Sequence, residues 1–318
     1  MNDIRRTILW VVFAFSLVML VDKWQVYNGH QPLFFHTPPT PAASAPESGA
    51  SSATAALPGS AAPNTGAAPT GVPHQQITVS TDVLRLTFDT EGGSIVKSEF
   101  LKYPDDQDDP QPFVLLDDSA QRTYLAQSGL IDNASGAALP THKTVMTFSG
   151  PRQLASGTDE MQIRFESPEV GGVKLVKTYT LKRGAYAIAV KHEVVNTGSA
   201  PVKPDLYLRL VRDSGPAPGE TRFYSTFTGP AFYTSAKKYQ KIAFKDIDKG
   251  NPEFESSSPD GYVAMVQHYF ASAWTAPGDV THQNFTSKYD NNLYAAGMVI
   301  PIASPIAPGA SQTVSNTL

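Results

Sequence analysis

The feature that most constrains the fold of this chain is a period of two in hydrophobicity, which recurs in short segments after residue 76. In residues 83–88, Leu84, Leu86 and Phe88 are apolar and a polar residue separates each from the next. This alternation predicts a strand with one face in the core and the other in solvent. No segment after residue 76 has the apolar spacing of an amphipathic helix of three or more turns. The pattern therefore predicts an all-β domain.

Two longer segments alternate in the same way on either side of a turn at Arg183-Gly184. Residues 173–182 precede this turn and residues 186–196 follow it, so the pair predicts a β-hairpin. Residues 205–212 continue the pattern with a leucine at every second position. Residues 77–318 thus form one block of short strands, which is typical of a single large antiparallel β-sandwich.

Residues 262–274 differ from these segments because they are apolar at almost every position. Such a run is either a central strand covered on both faces or a buried helix. Its aromatic content and the Pro277-Gly278 pair that follows favour the central strand.

Residues 223–244 are rich in aromatics that alternate with lysines. Exposed, such a segment would be a binding surface, because aromatic and cationic residues are common interface anchors. Buried, it would be two strands with a lysine-lined edge. This second interpretation is favoured, because lysines on an edge strand protect a sheet against unwanted pairing. The candidates for a partner surface or cleft come from this segment and from the apolar run: Phe227, Tyr233, Tyr239, Gln267, His268 and Tyr269.

Near the start of the chain, residues 8–21 form an unbroken apolar run. At 1.5 Å per residue, this run covers about 21 Å of a bilayer core about 30 Å thick. A span of residues 8–24, with Trp10 and Trp24 near the two interfaces, comes close to the membrane thickness. The sequence therefore predicts a transmembrane anchor helix over residues 8–24.

The charges before this run set its predicted orientation. Arg5 and Arg6 favour the cytoplasmic side, so residues 1–7 are predicted to be a cytoplasmic tip with the main domain across the membrane. The alternative is a cleaved secretory signal, which would end in a small-x-small cleavage site. No such site follows the run directly, and Ala43-Ser44-Ala45 lies too far downstream, so an uncleaved anchor is favoured.

Residues 25–76 are predicted to be a linker. From residue 37 onward the segment consists almost entirely of Pro, Ala, Ser, Thr and Gly, with Glu47 as its only carboxylate and no lysine or arginine. Such a composition offers too little apolar surface to offset the entropy of ordering. It predicts a disordered or partly extended tether.

The composition also argues against several functions. The chain has no cysteine and hence neither disulfides nor thiolate metal sites. A formal net charge of -4 is small for 318 residues, and no basic block points to nucleic acid as a partner. No catalytic or phosphate-binding motif is present, and no histidine or carboxylate cluster has ligand spacing. The sequence therefore predicts no catalytic residue, no cofactor and no metal.

Two histidines lie in predicted strands. His192 and Glu193 are adjacent and should point to opposite sheet faces, so a satisfied surface pair is expected. His268 lies in the apolar run, where a core histidine bonded to a backbone carbonyl is expected rather than a catalytic one.

Short motifs follow one another along the chain in a recognisable order: residues 3–10 (DIRRTILW), 22–24 (DKW), 90–93 (TEGG), 101–104 (LKYP), 112–116 (PFVLL), 126–130 (AQSGL), 176–179 (VKTY), 227–231 (FTGPA), 239–244 (YQKIAF), 260–270 (DGYVAMVQHYF) and 273–274 (AW). With the sequence of anchor, tether and external β domain, they resemble the N-terminal part of YidC-type bacterial membrane protein insertases. The resemblance covers the whole chain except the tether.

This resemblance implies a periplasmic β-super-sandwich similar to sugar-binding and aldose-mutarotase folds, held at the inner membrane by the first helix. It implies a role in inserting and folding inner-membrane proteins, alone or with the Sec translocon, without chemical catalysis. The implied partners are inner-membrane lipid, the Sec translocon with its accessory subunits, and nascent membrane proteins. In the family, insertion is attributed to five further helices around a polar groove, which residues 1–318 lack. This part is therefore expected to act as anchor and periplasmic scaffold.

Two other functions stay open at the level of sequence. A membrane-anchored carbohydrate-binding or mutarotase-like protein would need a histidine and a carboxylate that converge on a sugar ring. His192 and Glu193 do not meet this requirement, and His268 has no carboxylate nearby in sequence. An anchored periplasmic chaperone would instead expose an apolar patch that binds unfolded chains.

Overall fold

The computed structural model of the protein describes residues 73–105, 111–133, 136–217, 226–278, 280–289 and 292–318. The predicted cytoplasmic tip (1–7), the predicted anchor (8–24) and the predicted linker up to residue 72 lie outside these residues. Among the helices of the described residues, none is long and apolar enough to cross a membrane.

The described part of the chain consists mainly of β-strands. The strands are β1 (Gln76–Ser80), β2 (Leu84–Asp89), β3 (Ser94–Pro104), β4 (Pro112–Val114), β5 (Asp117–Asp118), β6 (Thr123–Ile131), β7 (Thr147–Ser149), β8 (Glu160–Glu166), β9 (Val173–Lys182), β10 (Ala189–Asn196), β11 (Asp205–Asp213), β12 (Gly229–Thr234), β13 (Lys238–Lys241), β14 (Ser257–Ser258), β15 (Tyr262–Gln267), β16 (Phe270–Thr275), β17 (His282–Tyr289), β18 (Leu293–Pro301) and β19 (Ser311–Thr317). The described residues also contain one short helix, α1 (Phe244–Asp248).

These strands form three sheets in which neighbouring strands pair antiparallel. The largest sheet has ten strands in the order β1-β2-β3-β6-β11-β18-β17-β14, with β4 paired to β3 and β5 to β6. A five-stranded sheet has the order β19-β10-β9-β8-β7, and a four-stranded sheet the order β13-β12-β15-β16. The predicted all-β, antiparallel fold class is confirmed.

The two smaller sheets cover one face of the large sheet. Phe88 of β2 has its ring 5.3 Å from Phe165 of β8, which places the five-stranded sheet over this part of the face. Tyr124 of β6 donates its hydroxyl proton to the Met265 carbonyl of β15 at 3.0 Å, so the four-stranded sheet lies over another part. Phe88 and Tyr124 lie on the same face of the large sheet. Phe88 on β2 pairs with Ile95 on β3, and Ile95 pairs with Ala126 on β6. Tyr124 is two residues before Ala126 and therefore points to the same side.

Several predicted strands are confirmed. Leu84, Leu86 and Phe88 are all buried on β2, and β9 and β10 pair as the predicted hairpin. Residues 205–212 belong to β11, where the three predicted leucines are buried. Both faces of β11 are buried for almost its whole length.

The prediction of one central strand over residues 262–274 is wrong. The run is a hairpin of β15 and β16 with a tight turn at His268 and Tyr269. β15 is buried at most of its positions, whereas in the edge strand β16 only Ser272 and Trp274 are buried. Neither turn residue is a Gly, Pro, Asn or Asp, so the turn carries none of the usual sequence signals.

The lysine-lined pair of strands is confirmed for the described part of residues 223–244. These strands are β12 and β13, and β13 is an edge of the four-stranded sheet with Lys238 and Lys241 exposed. The surface assignment of His192 is wrong, since its side chain is fully buried. His192 has the same strand parity as Val190 and Val194, and that face of β10 packs against the large sheet.

Candidate functional site

A cleft of about 750 Å³ opens where the end of β3 meets β4, the loop between β9 and β10, and the turn between β15 and β16. We call it the aromatic cleft. Its lining residues are Phe100, Tyr103, Pro104, Asp105, Phe113, Tyr186, Ala217, Gln267, His268, Tyr269 and Phe270. Elements that are far apart in the chain thus contribute to one concave surface.

The base of the aromatic cleft is a cluster of packed rings. Phe113 stacks on Phe270 with ring centroids 4.1 Å apart, and Phe100 meets Phe270 edge-on at 5.4 Å. Tyr103 and Tyr186 lie 5.8 Å apart above this base and are 48% and 36% exposed. The phenylalanines therefore hold the tyrosine rings in place, and each tyrosine presents ring surface and a hydroxyl group to the outside.

The turn between β15 and β16 forms one rim of the aromatic cleft. His268 has a φ of +40°, a region that non-glycine residues rarely adopt. Its Nδ1 hydrogen-bonds the Thr226 hydroxyl at 3.1 Å, and its ring lies 3.8 Å from the Tyr269 ring. The prediction of a core histidine bonded to a backbone carbonyl is therefore wrong. The turn holds Tyr269 in solvent at 83% exposure.

Gln267 lies in the wall of the cleft and is 1% exposed. Within the part of the chain that the structure describes, neither its side-chain oxygen nor its side-chain nitrogen has a hydrogen-bond partner. A buried amide without a partner costs about 1–3 kcal/mol. Buried polar groups in proteins are nearly always paired, so this enclosed amide is an exception in the cleft wall.

A second polar cluster lies around Arg209 on β11. Arg209 donates from Nε and Nη2 to Gln127 Oε1 at 3.0 and 2.8 Å, from Nη1 to the Tyr289 hydroxyl at 2.8 Å, and from Nη2 to His142 Nε2 at 2.8 Å. Since arginine can only donate, His142 Nε2 accepts and the ring proton lies on Nδ1, which is 2.6 Å from the Tyr207 hydroxyl. Both nitrogens of His142 are therefore engaged.

The contacts of His142 decide whether it can act as a general acid or base. Burial, with the neighbouring Arg209 charge, lowers the pKa of His142 to about 2, so the imidazole stays neutral at physiological pH. Asp89, Glu91 and Asp118 line a pocket of about 210 Å³ together with His142. The histidine and carboxylates that a mutarotase would need thus come together here, but the histidine has no nitrogen available for a substrate proton. In the described residues, no group of three or more histidines and carboxylates is placed to hold a metal ion.

Lys177 and His192 form a third buried polar group, between the five-stranded and ten-stranded sheets. The Lys177 ammonium donates to the carbonyls of Gly92 at 2.5 Å and Ser128 at 2.8 Å. Burial lowers the pKa of Lys177 to about 7. Burial, with the nearby Lys177 charge, also holds the pKa of His192 well below its ordinary value. These groups join two sheets and do not line the aromatic cleft.

Comparison with known proteins identifies the family. The family model for the YidC periplasmic domain matches residues 76–318. The chain belongs to the YidC periplasmic-domain family. This finding confirms the resemblance that the sequence motifs suggested.

Curated relatives extend this assignment. The chain is 44% identical to the membrane protein insertase YidC of Janthinobacterium sp. (strain Marseille) and 45% identical to that of Ralstonia nicotianae. Each alignment covers 99% of this chain and 57% of the relative. The chain therefore spans a little over half the length of the insertases it matches.

Solved structures with a similar fold are more distant. A galactose mutarotase related enzyme from Lactobacillus acidophilus has a TM-score of 0.47 and 10% identity, over 76% of this chain and 96% of that one. A galactose mutarotase-like protein from Lactobacillus casei has a TM-score of 0.43 and 10% identity, over 76% and 98%. At these scores the likeness carries no information on function.

Within this YidC periplasmic domain, the six candidate residues from the sequence fall into two groups. Gln267, His268 and Tyr269 line the aromatic cleft. The other three lie elsewhere: Phe227 has the Lys241 ammonium 5.1 Å from its ring, Tyr233 stacks on Tyr262 at 5.3 Å, and Tyr239 is an exposed residue of β13. The four membrane-interface candidates, Arg5, Arg6, Trp10 and Trp24, lie outside the described residues.

Sequence reasoning missed Tyr103 and Tyr186, the two tyrosines that lie across the cleft from Tyr269. In the sequence each one looks like an ordinary strand residue. The available signal was Tyr103-Pro104, because a proline at the end of a strand leaves the preceding aromatic residue close to a sheet edge.

Proposed function

We propose that this chain is the membrane-anchored periplasmic part of a membrane protein insertase, and that it acts as a scaffold that binds partners. The observation that carries the proposal is the match of residues 76–318 to the YidC periplasmic domain, together with relatives that are themselves membrane protein insertases. The anchor over residues 8–24 would hold the domain at the inner membrane with its N-terminus in the cytoplasm, next to the lipid. Insertion of nascent membrane proteins would belong to the part of the relatives that this chain does not cover.

The aromatic cleft is the surface that fits partner binding best. An extended polypeptide has backbone N–H and C=O groups free for hydrogen bonds, and the exposed hydroxyls of Tyr103, Tyr186 and Tyr269 can both donate and accept. The tyrosine rings can pack against the side chains of such a segment, and tyrosines are common anchors at interfaces. We assign the contact with the Sec translocon, its accessory subunits or an emerging membrane protein to this cleft.

The proposal includes no chemical catalysis. Its support is the state of His142, whose two nitrogens are held by Arg209 and Tyr207. Adding monosaccharides to the full chain and following anomer exchange tests this part. Turnover above the uncatalysed rate would contradict it and favour the mutarotase-like alternative.

A chimera tests the insertase role. Residues 1–318 would replace the aligned part of the Ralstonia nicotianae insertase, in cells depleted of their own insertase. We expect the chimera to restore membrane insertion of a single-span test protein, measured by its accessibility to protease. A chimera that accumulates in the membrane at normal levels but inserts nothing would contradict the proposal.

Photo-crosslinking tests the position of the partner contact in the same chimera. A crosslinking amino acid at position 269 would lie in the aromatic cleft, and one at position 239 would be a matched control, because Tyr239 is also an exposed tyrosine but lies on β13. We expect protein adducts from position 269 and far fewer from position 239. The reverse pattern would move the contact to the lysine-lined edge.

A further inference from the structure

A second groove, of about 450 Å³, opens at one edge of the ten-stranded sheet. We call it the β17 groove. Residues 284–289 of β17 form one wall, and the segment that follows α1 forms the other, with Gly250, Pro252 and Phe254. Ile247 of α1 also lines the groove. The β17 groove shares no lining residue with the aromatic cleft, so the two are separate surfaces of the described domain.

The wall formed by β17 is an incomplete sheet edge. β14 is only two residues long and pairs with the start of β17. The backbone N–H of Asn284 donates to the carbonyl of Ser256 at 2.8 Å, which shows that Asn284 directs its N–H toward this edge. Because the direction alternates along an antiparallel strand, Thr286 and Lys288 face the same edge. Within the described part of the chain, the backbone groups of these two residues have no hydrogen-bond partner. The edge therefore presents two donors and two acceptors with the spacing of a β-ladder.

The edge of β17 differs from other edges of the described sheets. β13 carries exposed lysines, which oppose pairing with another strand, and β1 bonds through Ser80 to Arg152 and Leu154. Among the described residues that line the β17 groove, Lys288 alone is charged. Its ammonium lies 2.7 Å from Asp248 Oδ1, so the charge already has a counter-ion. A strand that docks here would therefore leave no unpaired charge at the edge.

The shape of the β17 groove decides what can fill it. Residues 250–254 lie across the groove from β17, so the edge is recessed. Two recessed edges cannot meet, because each is blocked by its own segment 250–254, and this argues against a second copy of the chain. A single extended polypeptide is slender enough, and its backbone can pair with a sheet edge as an added strand. Since Ile247, Pro252 and Phe254 are apolar, alternate residues of such a segment should be apolar and β-branched.

We propose that the β17 groove binds an extended segment of a partner protein, which joins the ten-stranded sheet as a strand beside β17. The backbone of this segment pairs with Thr286 and Lys288, and its apolar side chains pack on Ile247 and Phe254. The site adds a second binding surface to the domain. It shares no residue with the aromatic cleft, so the inference does not depend on the role proposed for that cleft.

Peptide binding to the full chain in lipid nanodiscs tests this inference. The probe is a fluorescent heptapeptide of alternating valine and threonine, and fluorescence anisotropy measures its affinity. Two matched forms carry N-methyl groups, one on every valine and the other on every threonine. Because alternate amides of a strand point to opposite sides, only one of these sets can face β17. We expect the unmodified peptide and one methylated form to bind, and the other methylated form to bind at least about tenfold more weakly.

Variants of the chain locate the peptide. Thr286→Pro removes one donor of the edge and leaves the ladder between β17 and β18 intact, because this N–H points away from β18. It should weaken peptide binding at least about tenfold, whereas Thr286→Val should leave the affinity unchanged. Tyr269→Ala should also leave it unchanged, since Tyr269 lies in the aromatic cleft. Urea unfolding shows whether each variant is folded.

The outcomes separate this inference from the proposed function. No binding of the unmodified peptide, or equal weakening by both methylated forms, overturns the inference. So does a folded Thr286→Pro variant that binds the peptide normally. If Tyr269→Ala abolishes binding and Thr286→Pro does not, the peptide occupies the aromatic cleft, which supports the proposed function and overturns the inference. Dimers of the chain in detergent that Thr286→Pro abolishes would assign the edge to a second copy and would also overturn it.

Discussion

Two glutamines in this domain, the half-buried Gln127 and the buried Gln267, differ in whether their side-chain amides have hydrogen-bond partners. Gln127 on β6 accepts hydrogen bonds from Nε and Nη2 of Arg209, at 3.0 and 2.8 Å. Gln267 at the end of β15 is as deeply enclosed as a core residue, yet neither of its polar atoms has a partner among the described residues. The Gln127 amide therefore stabilises the buried Arg209 guanidinium. The unpaired Gln267 amide instead lowers the stability of the unbound domain.

The surroundings of the two amides differ in the same way. Around Arg209, a guanidinium, an imidazole, an amide and two tyrosine hydroxyls form a connected network. Around Gln267, aromatic rings form a packed base and an exposed rim. A connected network fixes one conformation, whereas the exposed rings near Gln267 form a concave surface that a partner segment can contact. The comparison predicts that substitutions in the first region change stability and substitutions in the second change binding.

The largest effect should come from breaking the network at its centre. Arg209→Leu removes four hydrogen bonds of a buried charged group and leaves the half-buried Gln127 and His142 without their donor, so we expect a loss of at least about 3 kcal/mol in the free energy of unfolding. Urea unfolding of the full chain in nanodiscs, followed by tryptophan fluorescence, measures it. The control is Arg164→Leu, which removes an exposed pair with Glu166 and should cost less than about 1 kcal/mol. Equal losses of stability in the two variants would contradict the idea that the buried Arg209 network stabilises the domain more than an exposed ion pair does.

A second test extends the comparison to Lys177, whose ammonium group is buried but hydrogen-bonded. The pKa of Lys177 is lowered by burial from 10.5 to about 7, so between these values the unfolded chain holds a proton that the folded domain has lost. Stability therefore rises with pH in this window, by up to about 1.4 kcal/mol per pH unit from this group. Below the window the charged ammonium is buried at full cost.

Lys177→Met should remove this contribution. We expect the stability difference between the original chain and the variant to grow by about 1.4 kcal/mol per unit between about pH 7.5 and 9.5. The pKa of Tyr207 is raised by burial to about 12, so this tyrosine does not titrate in the window. Lys191→Met on the exposed side of β10 is the control and should leave the slope unchanged. A slope that is the same in all three proteins would show that Lys177 keeps its proton throughout.

The strands could be predicted better than the cleft, because a strand depends on neighbouring residues whereas the cleft depends on residues far apart in the chain. β2 and the β9–β10 hairpin follow from alternation and turn residues within about twenty positions. The buried position of His192 is predictable in the same way, because His192 lies on the same face of the strand as Val190 and Val194. The adjacency of His192 and Glu193 predicts opposite faces correctly, but it does not say which of the two faces the core.

The aromatic cleft had no comparable local signal. Phe100, Phe113, Tyr186 and Phe270 come together only because β3, β4, the β9–β10 loop and β16 meet in the folded domain. In a sequence, an aromatic residue that supports a cleft cannot be told from one that fills the core. Gln267, His268 and Tyr269 could be singled out because polar residues are unexpected in an apolar run, but the turn that exposes Tyr269 could not.

A matched pair of substitutions tests the two glutamines directly. Gln127→Leu deprives Arg209 of an acceptor and should lower the free energy of unfolding by about 1–3 kcal/mol. Gln267→Leu removes an amide that has no partner to lose, so we expect stability within about 0.5 kcal/mol of the original or slightly higher. Urea unfolding of both variants gives the values. A loss of more than about 1 kcal/mol for Gln267→Leu would mean that its amide is paired in solution and that the cleft wall is structural.

The smallest change in stability, and the sharpest separation of binding from folding, should come from Tyr269→Ala. The ring is 83% exposed at a turn, so its removal should change the free energy of unfolding by less than about 0.5 kcal/mol. One aromatic packing contact is worth about 1 kcal/mol, so partner binding to the aromatic cleft in the chimera, read from the yield of photo-crosslinks from position 186, should fall about fivefold. Tyr239→Ala should change neither quantity, because this ring is also exposed but lies outside the cleft. If Tyr269→Ala destabilised the domain while partner binding stayed constant, the turn would support the fold and the binding role of the cleft would be contradicted.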